Sequence, residues 1–375
     1  RGESEAGLRR GAQEAEGVYF RPGGGRDARK AADRSPEGAR AKRVCGVALR
    51  KQRASVSFLG AGGTPSLILV QRRPIMTGSI RFPHLGIELE HVIKSISVFG
   101  IDIACYGIVL AAAMVTGILL VMKIADKTGQ KGDDYFDLGI IAVLISVLCA
   151  RIYYVVFSWD YYSHHISEIF NLREGGLAIY GGVAGGVVTV LVFCRIRKMK
   201  YLQALDTAAI GLVWGQMVGR WGNFFNREAF GDYTDGLFAM QLPLGDVRAS
   251  EVTDKMMEHL QVIDGVEYIQ VHPTFLYESL WNFGVFLVLL RLALKTGRRY
   301  DGQILLSYFF LYGAGRLWIE GLRTDQLLIP GTQIPVSQVV SGILMLVSGV
   351  LLLYMAIKRK GTKEHESERN TQRTD

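Results

Sequence analysis

The sequence predicts an all-α, polytopic integral membrane protein of about seven transmembrane helices, with the N-terminus outside and the C-terminus inside. Of the 375 residues, 49% are hydrophobic and the mean hydropathy is positive, which is unusual for a water-soluble chain of this size. Seven apolar runs are each near the length that crosses a hydrocarbon core of about 30 Å. Lysine and arginine also gather in alternate connections between those runs, the pattern left by cytoplasmic loops.

In order, the runs are Phe99 to Met122, Leu138 to Phe157, Leu177 to Cys194, Leu205 to Asn223, Phe275 to Leu294, Gln303 to Gly321 and Val336 to Ile357. The fourth is the weakest, being interrupted by Gly211, Gly215, Gln216 and Gly219. Basic residues follow the first run (Lys123, Lys127, Lys131), the third (Arg195, Arg197, Lys198, Lys200) and the fifth (Arg291, Lys295, Arg298, Arg299). They also open the tail at Lys358, Arg359 and Lys360, so 358–375 reads as a charged cytoplasmic tail. The connections after the second and sixth runs have no lysine, and the long loop 227–270 is mostly acidic, which places these outside. That loop shows one short helical stretch, Ser250 to Val262, and too little apolar material for a core of its own.

The net charge of +8 belongs to the beginning of the chain. The first 75 residues carry 16 Lys or Arg against 7 Asp or Glu, whereas the other 300 carry 27 against 28. Residues 1–75 are rich in Arg, Gly and Ala without helical or strand period, and are expected to be a disordered or non-native leader, with Met76 as a start. Residues 76–98 then form a polar lead-in to the seven transmembrane helices, 99–357. The basic stretch lacks interleaved aromatics or a binding motif, so no nucleic-acid partner is expected. Cys105, Cys149 and Cys194 lie in apolar runs without metal-ligand spacing and read as small buried hydrophobes; no metal or cofactor is expected.

With this topology the polar residues inside the runs fall at one depth. GRWGNFFNREAFG, Gly219 to Gly231, places Arg220 and Asn223 at the external end of the fourth run, three apart on one helix face. Tyr312, Arg316 and Glu320 follow at spacings of four in the external half of the sixth run. Arg151, Tyr180 and Tyr106 occupy the outer halves of the second, third and first runs, and His272, Tyr277 and Glu278 the outer mouth of the fifth. An intramembrane arginine needs a partner, a cavity or a ligand, which points to a cationic cavity walled by Arg151, Arg220 and Arg316.

Structural readings stand beside these. Trp221 reads better as an interfacial anchor, Tyr106 and Tyr277 equally as belt aromatics, and Arg151 as a brace for the bundle. Arg316 with Glu320 reads also as an intrahelical pair, and the overlapping Gly181/Gly185 and Gly182/Gly186 patterns as close helix packing. Guanidinium groups recognise phosphate by charge and paired hydrogen bonds, so a cavity opening into the outer leaflet suggests an anionic phospholipid. The same groups stabilise a departing phosphate. A lipid or anion transporter is the competing class, but it is expected to bind at the midplane between repeated halves, and no repeat is seen.

The chain resembles the bacterial prolipoprotein diacylglyceryl transferases. The Gly219 to Gly231 stretch looks like their signature, and the similarity extends to Tyr106-Gly107, RIYYVVF at Arg151, GGLAIYGG at Gly175, HPTFLYES at His272 and GAGRLWIEGLR at Gly313. It covers about Phe99 to Tyr354. The resemblance implies a multi-pass enzyme of the bacterial cytoplasmic membrane, without cofactor, its site toward the outer leaflet. Its partners would be phosphatidylglycerol and prolipoprotein signal peptides with a lipobox cysteine. The reaction would move the diacylglyceryl group to the cysteine thiol and release glycerol phosphate. By the same resemblance Arg220 and Arg316 would hold the phosphate, Asn223, Asn226 and Glu228 would shape the headgroup site, and Gly231 would permit the turn. Tyr106, Tyr312 and Glu320 would complete the pocket, with Arg151 among the binding residues.

One position departs from the family, many of whose members carry His, the favoured base, where this chain has Tyr180. A tyrosine serves poorly as a base, so Tyr180 is expected to orient by hydrogen bonding. A free thiol, with a pKa of about 8.5, would then be activated by the field of Arg220 and Arg316, with Glu228 or Glu320 taking the proton.

Overall fold

The computed structural model describes residues 79–171, 175–295 and 298–371; the expectations for residues 1–75 lie outside the described residues. Seven long helices make up most of what is described: α1 Cys105–Lys127, α2 Gly132–Phe157, α3 Ile179–Arg197, α4 Tyr201–Asn226, α5 Thr274–Leu294, α6 Gln303–Glu320 and α7 Val336–Thr371. Five of them, α1, α2, α3, α5 and the Val336–Arg359 part of α7, are long and apolar enough to cross a membrane. The other two, α4 and α6, carry the polar residues singled out in the sequence, Arg220 and Asn223 on one and Arg316 and Glu320 on the other. Large apolar side chains such as Leu144 and Leu148 on α2 and Leu346 and Val350 on α7 point outward, as lipid-facing surfaces do.

Local chemistry sets the helix ends and their spacing. Asp133 and Asp134 stand in the first turn of α2, and Arg195 and Arg197 in the last turn of α3, each favourable to the helix dipole. Arg197 also ties these ends together through Asp134 at 3.3 Å and Asp137 at 2.7 Å. The glycine pattern of α3 lets it close on α2: a Cβ at Gly181 would stand 2.5 Å from the Cys149 carbonyl, and one at Gly185 2.7 Å from the Cys149 Cβ. Asp206, fully buried on α4, caps α6 from outside, accepting the Gly302 N–H at 2.8 Å and the Leu305 N–H at 2.9 Å. This contact fixes the height of α6, and therefore of Arg316, about 16 Å further along its axis.

The description all-α holds for the helical bundle but misses a sheet. Strands β1 Ile80–Phe82, β2 Ile87–Leu89, β5 Met240–Pro243, β6 Gln261–Ile263 and β7 Val266–Val271 form one antiparallel sheet in the order β2-β1-β5-β7-β6. A separate hairpin, β3 Ser95–Val98 with β4 Ile101–Ala104, runs directly into α1, so helix begins at Cys105 rather than at Phe99. The described part of the polar lead-in, 79–98, thus contributes three short strands, and the expected helix at 250–262 shrinks to Asp254–Glu258. The loop 227–270 has no core of its own but shares one with the lead-in and the helix ends. Ile80, Phe82, Met240, Leu242, Ile269 and Val271 pack with Val252 and Met256, and Phe224, Phe230 and Phe275 complete the cluster from the ends of α4 and α5. The residues were visible as an alternating pattern only in short pieces, and the pairing of Arg81 with Gln241 joins segments too far apart for any local signal.

Candidate functional site

The site lies where α4 ends, α5 begins and α6 ends. Arg220 from the last turns of α4 meets Glu278, one turn into α5, with Nη2 2.7 Å from Oε2. From α6, Arg316 Nη1 donates to Glu278 Oε1 at 2.9 Å, while its Nη2 lies 2.6 Å from Glu320. Arg323, just beyond α6, reaches the same Glu278 Oε1 at 3.4 Å and holds Asp325 at 2.7 and 2.9 Å. Glu320 also accepts the Ser337 hydroxyl at 2.5 Å from the start of α7. Four helices and the connection between α6 and α7 therefore contribute to one ion cluster, and the carboxylate of Glu278 at its centre is 4% exposed.

This geometry corrects the expected cationic cavity. Arg220, Arg316 and Arg323 are matched by Glu278, Glu320 and Asp325, because guanidinium groups this close and this buried require counter-ions. Arg151 is not a wall of the cluster either. Its Nε donates to the Ile169 carbonyl, its Nη1 to Gly175 and Gly176 and its Nη2 to Glu168 and Asn171, while its guanidinium lies over the Tyr162 ring. Each of its three nitrogens is thus engaged in holding the connection between α2 and α3, the bracing role that was the alternative reading.

A second group of polar side chains forms around Glu228, in the turn after α4. Its Oε1 accepts Asn223 Nδ2 at 3.0 Å and Asn226 Nδ2 at 3.3 Å, and its Oε2 pairs with Arg248 at 3.0 Å. Arg248, mostly exposed, also holds the buried Glu251 at 3.1 Å; burial pushes the Glu251 carboxyl above its ordinary value despite Arg248. Arg220 and Asn223, though on one helix face, thus serve different partners. Tyr106 connects the two groups: its ring lies against Gly222, and it is within electrostatic reach of both Glu228 and Arg220.

The turn itself is made by Arg227 and Ala229, with φ of 54° and 58°. Gly231 has a different task from the one expected of it. Its N–H donates to the His272 carbonyl at 2.9 Å, and a Cβ there would stand 2.7 Å from the Leu322 carbonyl and 2.8 Å from His272 Cβ. Glycine is required for close approach, because the chain passes between the start of α5 and the end of α6. Arg227 serves structure, donating to the Phe225 and Val92 carbonyls and facing Asp246 at 3.4 Å.

Tyr312 stacks on Tyr308 and lines a small cleft with Glu278, Trp281, Asn282, Gly315 and Arg316. Tyr180 is 57% exposed on α3, and no hydrogen bond or ring contact engages it among the described residues. Arg323, Asp325 and Arg248 were not expected in the site, and Glu278 was placed at the outer mouth of the fifth run without a role. For Glu278 a signal was present: it is the single acidic residue in the apolar run of α5, and a lone carboxylate there calls for cations.

Comparison with known proteins shows the family. The family model described as prolipoprotein diacylglyceryl transferase matches residues 94–355. A phosphatidylglycerol–prolipoprotein diacylglyceryl transferase of Clostridioides difficile (strain 630) is 41% identical over 271 residues, 72% of this chain and 98% of the relative. Proteins described in the same words from Bacillus velezensis and Acaryochloris marina are 38% and 41% identical, over 69% and 67% of this chain and 90% and 86% of their own lengths.

Proposed function

Because the chain belongs to the prolipoprotein diacylglyceryl transferase family, we propose that the ion cluster around Glu278 is where its lipid substrate is gripped. The enzyme transfers the diacylglyceryl group of phosphatidylglycerol to the lipobox cysteine thiol of prolipoproteins, forming a thioether and releasing glycerol phosphate. The observation that carries the site assignment is the meeting of Arg220 and Arg316, from separate helices, on one buried carboxylate.

In this reading Arg220 and Arg316 hold the phosphate ester, with Tyr106 and Tyr312 lining the headgroup site and Asn223 and Asn226 fixing Glu228. The thiol sulfur attacks the glycerol carbon that carries the phosphate, the C–O bond breaks, and the electron pair passes to the phosphate oxygen between the arginines. The thiol proton goes to a carboxylate. Glu228 suits this better than Glu320, because two neutral amides and one exposed arginine hold it, whereas Glu320 is enclosed by Arg316, Arg323 and Ser337. Tyr180, exposed on α3, orients the incoming peptide. The seven helices are read as seven spans with the N-terminus outside and the site toward the outer leaflet of the cytoplasmic membrane; the alternation of basic connections supports this.

The test uses purified enzyme, labelled phosphatidylglycerol and a lipobox peptide. Arg220→Ala is expected to reduce transfer of label to the cysteine at least about 100-fold, and Glu228→Gln to reduce it more than Glu320→Gln. Turnover lost in Tyr180→Phe but kept in both glutamine variants would overturn the proton assignment.

A further inference from the structure

The donors of the three arginines are not equally committed. Arg323 spends Nε and Nη2 on Asp325 and Nη1 on Glu278. Arg316 spends Nη1 on Glu278 and Nη2 on Glu320. Arg220 is held by Nη2 alone, at 2.7 Å from Glu278, and among the described residues it has no other partner, so Nε and Nη1 remain for a ligand. Its side chain is 20% exposed where the Glu278 carboxylate behind it is 4% exposed. The carboxylate divides its two oxygens accordingly, Oε2 for Arg220 and Oε1 for Arg316 and Arg323 together.

We propose that Glu278 is a positioning residue for the phosphate ester: from the buried side it holds Arg220 by one nitrogen and turns its remaining donors toward the headgroup, while its charge keeps Arg220 beside Arg316 before substrate arrives. The inference rests on the reading that this cluster receives the phospholipid headgroup. It follows from charge and geometry. Without Glu278, three guanidinium groups would share Glu320 and Asp325, neither of which is paired with Arg220. Arg220 would then lose its anchor on Glu278 and be repelled by its neighbours, and its donors would no longer be set in advance of binding. Glu278 acts through Arg220 and does not take the thiol proton, because guanidinium groups cover both of its oxygens.

A double-mutant cycle on the full-length enzyme in lipid nanodiscs tests this, with Glu278→Gln, Glu278→Asp and Arg220→Gln. KM for phosphatidylglycerol, kcat and melting temperature are measured for each. Glu278→Gln is expected to raise KM by about 30-fold, the cost of one charge-assisted hydrogen bond, with Glu278→Asp recovering part of the loss. In the Arg220→Gln background Glu278→Gln is expected to lower kcat/KM by a markedly smaller factor than in the wild-type background, because coupled residues do not add. A purely structural Glu278 would instead lower melting temperature and kcat with KM unchanged, and its cost would multiply with that of Arg220→Gln; either result overturns the proposal. If Glu278→Gln does not accumulate as folded protein, the cycle is run with Glu278→Asp, and multiplying costs there overturn it equally. Wild-type KM and kcat in Arg220→Gln would show that the headgroup reading itself has failed, whatever Glu278 does.

Discussion

Gly231→Ala is a small change with a large expected effect, and the structure supplies its magnitude. The added methyl would stand 2.7 Å from the Leu322 carbonyl oxygen, 2.8 Å from His272 Cβ and 3.2 Å from Thr274 Cγ2. None of these is the free end of a flexible side chain, so the backbone must part by roughly 0.5 Å or more, an overpacking cost of about 1–3 kcal/mol. The parting falls on functional ground. Gly231 bridges Arg323 across the chain, and the neighbouring Asp232 N–H donates to the Leu322 carbonyl at 3.0 Å. His272 stands six residues before Glu278. A wedge at Gly231 therefore moves Arg323 and Glu278 apart, and misplacement of this size costs about 10- to 100-fold in turnover. The assay pairs a thermal melt in detergent with label transfer from phosphatidylglycerol to a lipobox peptide. Gly245→Ala, where a Cβ meets nothing within 4 Å, is the matched control and should behave as wild type. Wild-type melting and turnover in Gly231→Ala would refute the close-approach argument.

Arg151→Gln removes the donors that hold the carbonyls of Glu168, Ile169, Asn171, Gly175 and Gly176, and is expected to cost about 3–5 kcal/mol of stability while leaving KM for phosphatidylglycerol unchanged in the folded fraction. A raised KM with normal melting would return Arg151 to the ligand site. Asp206→Ala uncovers the Gly302 and Leu305 N–H groups and should destabilise by about 1–2 kcal/mol, seen as a lowered melting temperature, with Asp206→Asn losing less. Burial holds the His272 imidazole below its ordinary value, Asp232 opposing and Lys255 assisting. The unfolded chain therefore takes up this proton first, so the contribution to stability is intact above about pH 6.5 and is lost as pH falls toward the lower folded value. His272→Gln should flatten the melting temperature between pH 7 and pH 5, and an unchanged slope would count against the assignment.

Much of the site was legible because membrane solvent makes polar residues conspicuous. Arg220, Arg316 and Glu320 stood out in apolar runs, and the arginines do converge from separate helices. Arg151 stood out equally and went elsewhere, since a guanidinium in lipid is satisfied as well by carbonyls as by a phosphate, and only the positions of Gly175 and Gly176 show which. The role of Gly231 was misjudged for a related reason: the identity of a glycine reports that space is short or φ is unusual, without saying which.

By itself the sequence determined the helical bundle and, through the resemblance carried by the Gly219 to Gly231 stretch and its companion motifs, the family and with it the reaction, because apolar length and short motifs are local. The tertiary structure decided what lies between segments. It brought Ile80 and Phe82 into one sheet with residues near 240 and 270, and it placed Glu278 at the centre of three arginines. A strand of three residues or a single acid has no period to read; its partner is fixed only when distant parts of the chain must bury the same surface or neutralise the same charge.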